Sequence, residues 1–217
     1  QGNWPRALAR LGRLVSPAWI WVIPGNHDYY GATLDDDVLA RIASGAGVNL
    51  AQKQVLTFGT CRILCCTLWT DFALLGDPEV AMDRAAMAMP DYARIRRDDG
   101  DPIMPEDTTA LHRDHLDWLS HEIAKPWRGQ TVVVTHHAPS AAVAGQMSSL
   151  SPAFASDLDS WIDSHRLDYW FFGHTHRPLS TRIRGATVVN VSLGYPDEVP
   201  EGDEAEAMLR GLIFPGA

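Results

Sequence analysis

The sequence predicts an α/β fold, because short apolar runs alternate with stretches of helical periodicity along most of its 217 residues. Glycine and proline follow several of the apolar runs and mark the loops between elements. Hydrophobic residues make up 46% of the chain and charged residues 21%, which is the composition of a globular protein with a sizeable core. Without repeats or low-complexity segments, the chain is expected to form a single domain, residues 1–217.

The individual elements are predicted from their patterns. Leu8, Leu11 and Val15 form one stripe of an amphipathic helix, and Gly59-Thr60 between two apolar runs indicates a hairpin. The predicted helices are residues 5–15, 38–44, 106–124 and 154–165, and the predicted strands are residues 19–23, 55–58, 62–69, 131–135, 169–172 and 186–191.

Residues 70–107 form the least regular part of the sequence and are rich in Asp, Met and Pro. We predict an inserted cap with its own short helices, placed over a functional site. The residues that could line the pocket of this site are Trp69, Asp71, Phe72 and Tyr92. They are equally well explained as residues that pack the cap itself.

Charge and cysteine content exclude several classes of protein. A formal net charge of −9 argues against a nucleic-acid binder, which needs a basic face. No apolar run reaches the roughly 20 residues that span a bilayer. The three cysteines, Cys61, Cys65 and Cys66, do not form a disulfide framework and are expected to be small core residues. We therefore expect a cytoplasmic protein, although a signal peptide could precede Gln1.

Three predicted strands are followed at once by polar residues that include histidine. Gly-Asn-His-Asp ends residues 21–28, two histidines end residues 132–137, and Gly-His-Thr-His ends residues 170–176. Ligands of open α/β sheets bind at the carboxyl ends of the strands, so these clusters should converge in space.

The residue types in these clusters suit a metal. Imidazole nitrogens and amide oxygens are neutral ligands for manganese, iron, zinc or cobalt ions. His174 and His176, two positions apart in an extended loop, can reach two ions that lie side by side. Gly25 and Gly173 are expected where a side chain would block the approach of the backbone.

Not every histidine is a candidate ligand. His112, His115, His121 and His165 lie on predicted helices and are expected to be hydrogen-bonded core residues or surface residues. His136 is preferred as a ligand because it comes first after its strand. We expect the adjacent His137 to be a neighbour of the site.

The three segments, in this order, resemble the last three motifs of the calcineurin-like metallophosphoesterase superfamily. The resemblance covers residues 21–195, and segments 67–72 and 194–196 are similar to a bacterial branch of that superfamily. It implies a four-layer α/β/β/α sandwich with two divalent transition-metal ions, such as manganese, iron, zinc or cobalt. The implied metal ligands are Asn26, His136 and His174 for one ion and His176 for the other.

The same resemblance implies the reaction. A metal-activated water would hydrolyse a phosphate mono- or diester of a small molecule. His27 would be the catalytic residue that faces the phosphoryl group, either stabilising its charge or protonating the leaving oxygen. Asp28 would tune His27 or its loop rather than bind metal.

One part of the family pattern is not found. The superfamily normally begins with Asp-x-His and Gly-Asp motifs, and neither precedes Gly25. The resemblance therefore implies that the N-terminal strands are missing and that the sequence begins just downstream of the metal-bridging aspartate. An alternative function is a catalytically impaired module that binds metal or a phospho-ligand, and a third is a nuclease. The acidic residues at 35–37 and at Asp77 are interpreted as surface loops.

Overall fold

The structure is a computed structural model that describes residues 4–195, 198, 209 and 211. It has a mixed α/β fold with a six-stranded sheet, a separate two-stranded sheet and surrounding helices. The strands are β1 (Trp21–Val22), β2 (Asn49–Leu50), β3 (Gln54–Phe58), β4 (Cys61–Cys66), β5 (Gln130–Thr135), β6 (Tyr169–Phe172), β7 (Ser180–Ile183) and β8 (Ala186–Asn190). The helices are α1 (Trp4–Leu11), α2 (Asp36–Gly45), α3 (Pro78–Ala88), α4 (Asp91–Arg94), α5 (Pro105–Ala124) and α6 (Asp159–Ser164).

The six-stranded sheet has the order β3-β4-β5-β6-β8-β7. Its four central strands, β4, β5, β6 and β8, run parallel, and antiparallel hairpin partners flank them on both sides. Val134 pairs with Phe171, so β5 and β6 end at the same edge of the sheet. The predicted meeting of these strand ends is confirmed, because parallel neighbours deliver their following loops to one edge.

Alternation along the strands divides the core between the two faces of the sheet. Leu64, Val133 and Trp170 point to one face and are buried in a cluster with residues of α5 and α6. Cys65 belongs to a cluster on the other face, whereas Cys66 belongs to the helix side. Both cysteines are buried, and burial raises the pKa of the Cys65 thiol to about 12. Their prediction as core residues on opposite faces is confirmed.

Segment 70–107 contains α3 and α4 and shares a core with the loop that follows β1. Trp69, Phe72 and Tyr92 are buried there together with Tyr29 and Leu39. These three aromatic candidates therefore pack the core rather than line a pocket. Burial also explains why this irregular stretch is ordered, since each aromatic ring removes a large apolar area from water.

Several sequence boundaries are wrong for identifiable reasons. Strand β4 ends at Cys66 instead of residue 69, because Leu68 and Trp69 adopt left-handed backbone angles, with φ values of 75° and 56°. The predicted helix 154–165 begins only at Asp159. The strand β7 and the helices α3 and α4 were not individually assigned from the sequence.

The acidic residues assigned to loops instead begin helices. Asp35 accepts hydrogen bonds from the backbone of Asp37 and Val38 and caps α2. Asp77 accepts one from Val80 and caps α3. The acidic stretch 196–206, for which the sequence indicates either a loop or a loose tail, lies outside the described residues except for Glu198. Over the described residues, no helix combines the length and apolarity needed to cross a membrane.

Candidate metal centre

Three loops at the carboxyl edge of the strands bring the predicted site residues together. After β1, Asn26–Tyr29 form a short 3-10 helix, which is closed by a 2.8 Å hydrogen bond from the Gly25 N–H to Asp28 Oδ2. His136 directly follows β5, and His174 follows β6 after one glycine. Asp28 therefore stabilises its own loop, which is one of the two roles that the resemblance implies for it.

Asn26, His136 and His174 form a compact group, which we call the inner cluster. His136 Nε2 lies 3.0 Å from Asn26 Oδ1 and 3.0 Å from His174 Nδ1. One oxygen and one nitrogen atom thus lie against the same ring nitrogen of His136, although the three residues lie on loops separated by long stretches of chain. Imidazole nitrogens and amide oxygens are donors that transition-metal ions accept.

Gly25 lets the inner cluster close. A Cβ atom at this position would stand 2.4 Å from His136 Cε1, so any side chain would collide with the imidazole ring. At Gly173 the nearest atoms would be 3.9 Å and 4.0 Å away, which is ordinary contact. The expectation of a close approach is confirmed for Gly25 and wrong for Gly173.

His137 lies beside the inner cluster. One ring nitrogen from each of His136, His137 and His174 lies within 4.8 Å of the others. His137 is 2% exposed, its Nδ1 is 3.4 Å from the Thr67 carbonyl oxygen, and its ring stacks on Trp69. It is His136, rather than His137, that has a ring nitrogen against both Asn26 and His174.

Burial holds His136, His137 and His174 neutral. Burial, followed by the nearby His27 and His176, lowers the pKa of His136 to about 3. Burial also lowers the pKa values of His137 and His174 far below the usual value of 6.5. Only a neutral imidazole has a lone pair for a metal, so these rings are ready to bind at neutral pH.

The donor set fits a borderline divalent metal. It consists of the imidazole nitrogens of His136 and His174 and the amide oxygen of Asn26. Asn26, His136 and His174 are therefore able to hold such an ion.

His27 and His176 are placed differently, and we call them the outer pair. His27 is exposed, and its ring centroid lies 4.5 Å from that of Tyr30. His176 Nδ1 is 2.9 Å from Glu198 Oε2, and its ring packs edge-on against Tyr195. His174 and His176 both have left-handed φ angles, 65° and 49°, an uncommon conformation that clusters at functional sites.

Both groups face one cavity of about 400 Å³. A second cavity of about 500 Å³ shares its His174, His176 and Phe154 wall. The first cavity is lined by Gly25, Asn26, His27, Asp28, Tyr30, Met89, Pro90, His136, Phe154, His174, His176 and Tyr195.

Two supporting residues were missed in the sequence. Asp91 Oδ1 accepts hydrogen bonds from Asn26 Nδ2 at 2.8 Å and from the Tyr30 hydroxyl at 2.5 Å. Asn190, at the end of β8, donates from Nδ2 to Thr175 Oγ1 at 2.7 Å and so supports the loop between His174 and His176. Neither residue follows a recognisable motif, and each is brought to the site only by folding.

Histidines on α5 support the chain beneath the site. His115 Nδ1 accepts a hydrogen bond from the Leu68 N–H at 3.1 Å, and His112 Nδ1 lies 3.3 Å from the Trp69 carbonyl oxygen. Burial lowers the pKa of His115 to about 4. The prediction that these two are hydrogen-bonded core histidines is confirmed.

Fold and site together define an α/β protein with a histidine-rich cavity at the carboxyl edge of its sheet. The profile of the calcineurin-like phosphoesterase family matches residues 1–178, and the chain belongs to this family. Phosphoester hydrolysis is the general chemistry of that family.

A solved structure with low sequence identity shares the fold. Phosphopantetheinyl hydrolase from Mycobacterium tuberculosis aligns with a TM-score of 0.66 at 17% identity, covering 89% of this chain and 75% of that one. A structure described as a 5'-nucleotidase from Staphylococcus aureus aligns with a TM-score of 0.45 at 11% identity, covering 87% of this chain and 34% of that one. No curated protein sequence matches the chain significantly.

Proposed function

We propose that this protein hydrolyses a phosphate mono- or diester with the help of two divalent metal ions. The inner cluster would hold one ion, and His176 would contribute to the second. The observation that carries the proposal is that all five predicted residues line one cavity. Family membership supports the same chemistry.

The residues of the cavity have separate roles in this proposal. Bound divalent ions supply a water of lowered pKa and polarise phosphoryl oxygens. His27 is exposed to the cavity and provides a proton to the leaving oxygen or a hydrogen bond to the phosphoryl group. The inner cluster stays neutral and fixed while this happens.

The substrate in this proposal is a small molecule. A cavity of about 400 Å³ has the size of ordinary small-molecule sites. Segment 70–107 contributes Met89 and Pro90 to its wall, which supports our interpretation of this segment as a cap. The net charge of −9 disfavours a nucleic-acid substrate. None of the three cysteines is in a disulfide, in keeping with the cytoplasmic location that we propose.

A module that binds metal or a phospho-ligand without turnover is the second candidate. In the described part of the chain, the inner cluster has no carboxylate among its donors, and neither has the group of His136, His137 and His174, whose ring nitrogens lie within 4.8 Å of one another. Carboxylates supply the negative charge that strengthens binding of divalent cations. A site built from neutral ligands would bind its ions less tightly.

Hydrolysis is tested with p-nitrophenyl phosphate and bis-p-nitrophenyl phosphate, with manganese, iron, zinc or cobalt added in turn. We expect release of p-nitrophenol that requires metal, that stops with a chelator and that is strongly reduced in His27→Gln. Metal bound by a folded protein, combined with no turnover of either ester, would favour the binding module instead.

Plasma emission spectroscopy counts the metal ions bound per chain and distinguishes a two-ion site from a one-ion site and from a protein that binds no metal. Two bound ions per chain support the dinuclear site, and one ion supports the inner cluster alone. Less than one ion per chain after reconstitution would contradict both candidate functions.

A further inference from the structure

We propose that Asp91 is a positioning residue that orients the amide of Asn26 toward the metal. The inference rests on the proposed function, because it concerns one ligand of the proposed metal site. It comes from the hydrogen bonds around Asn26 and assigns a role to the short helix α4 within segment 70–107.

An asparagine amide can point in either of two directions. Only Oδ1 has lone pairs for a metal, whereas Nδ2 can only donate hydrogen bonds. Asn26 is 2% exposed, so water cannot satisfy whichever end faces away from the cavity. A buried acceptor behind the amide is therefore needed to hold Oδ1 forward.

Asp91 is that acceptor. Its Oδ1 receives Asn26 Nδ2 at 2.8 Å, while Asn26 Oδ1 stays 3.0 Å from His136 Nε2. An ionised carboxylate accepts hydrogen bonds and donates none. If the Asn26 amide were reversed, its oxygen would face the carboxylate oxygen of Asp91 and its NH₂ group would face the metal position.

The carboxylate is itself fixed. Asp91 is 3% exposed, and its Oδ1 also accepts the Tyr30 hydroxyl at 2.5 Å. The guanidinium carbon of Arg94 lies 4.5 Å from the centroid of the Tyr30 ring and holds that ring in place. Partners of metal ligands that are fixed in this way set the geometry of the ligand.

The test replaces the carboxylate by an amide of the same shape. In Asp91→Asn the new side chain can donate as well as accept, so both orientations of Asn26 become possible. Asp36→Asn is the matched control, because Asp36 accepts the Tyr29 hydroxyl at 2.5 Å in the same way, but its amide donor is Gln52 rather than Asn26. Cobalt and manganese affinities are measured by calorimetry, and the thermal midpoint of each metal-free protein is recorded.

We expect Asp91→Asn to weaken cobalt and manganese binding by roughly 10- to 100-fold, with a metal-free thermal midpoint close to that of Asp36→Asn. Asp36→Asn should keep the wild-type affinity. A purely structural role would instead lower the metal-free midpoint and leave the affinity of the folded protein unchanged, and that result would overturn the inference.

Two further results are informative. If Asp91→Asn does not fold, Tyr30→Phe removes the hydroxyl donor to Asp91 and should weaken metal binding measurably, by up to roughly 10-fold. Unchanged affinity in that variant would overturn the inference as well. If the folded wild-type protein binds neither metal, the proposed function fails and this inference fails with it. Wild-type binding that is matched by Asp91→Asn overturns the role of Asp91 alone.

Discussion

The inner cluster and the outer pair lie in one cavity but are built differently. Asn26 is almost fully buried, and the pKa values of His136 and His174 are lowered chiefly by burial. His27 is exposed, and the carboxylate that contacts His176 belongs to the exposed Glu198. Packing therefore holds the inner donors together, whereas in the outer pair His27 faces solvent and His176 is half-buried beside Glu198.

This difference indicates a division of function between the inner cluster and the outer pair. Donors that are already 3.0 Å apart and neutral need little rearrangement to accept an ion. A histidine that exchanges protons with a substrate must instead be accessible and able to titrate. The four predictions below test this division, beginning with the largest expected effect.

Removal of an inner ligand should abolish function. In His136→Ala we expect metal affinity to fall by more than the roughly 10- to 100-fold typical of losing a partner of a ligand, and phosphoesterase activity to fall to that of the metal-free protein. His137→Ala is the matched control, since it removes the adjacent buried imidazole. Calorimetry should show near-wild-type affinity for the control, and an equal loss in both variants would make His137 a ligand.

Removal of an outer histidine should affect turnover alone. We expect His27→Gln to lower kcat by about 10²- to 10⁴-fold, the usual contribution of a general acid or base. Its metal content should match the wild type, because His27 is not part of the inner cluster. A fall in metal content that parallels the fall in kcat would remove the distinction between the two groups.

Lowering the pH should destabilise the protein through His115, which supports the chain beneath the inner cluster. The pKa of His115 is about 4 in the folded protein and about 6.5 when unfolded, so the unfolded chain takes up the proton first as pH falls. The free energy of unfolding should therefore drop between pH 6.5 and 4, by at most about 3 kcal/mol, and stay low below pH 4. Above pH 6.5 this contribution is fully present.

Urea unfolding at a series of pH values measures this effect. His115→Gln should have a shallower pH dependence than the wild type over that range. His121→Gln, which changes an exposed histidine of the same helix, should keep the wild-type slope. Equal slopes in all three proteins would show that His115 does not contribute.

The smallest effect is expected from crowding the inner cluster. In Gly25→Ala the new methyl group would meet the His136 ring, so we expect a loss of about 1–3 kcal/mol in the free energy of unfolding, together with weaker metal binding. Gly173→Ala places its methyl group at ordinary contact distance and should change both quantities less. A larger loss in Gly173→Ala would show that the His136 ring can move aside for the methyl group of Gly25→Ala.

Local sequence patterns were sufficient for the main elements and for the inner cluster. Each of its residues follows a short apolar run, and the rule that parallel strands end at one edge places His136 and His174 together. Asn26 follows β1 of the separate two-stranded sheet, so its contact with His136 depends on how the two sheets pack. The pattern also separated Cys65 from Cys66, because side chains alternate along a strand. Boundaries were less well predicted where backbone conformation changes without a sequence signal, as at Leu68 and Trp69.

By itself the sequence determined the family, the parallel core of the sheet and the residue types that reach its edge, because these depend on periodicity and on motifs a few residues long. Only the tertiary structure decided which of the two adjacent histidines meets Asn26, that Gly25 and not Gly173 is closely approached, and that Asp91 stands behind the Asn26 amide. Those are contacts between side chains up to 110 positions apart, and packing and burial select them only once the chain has folded.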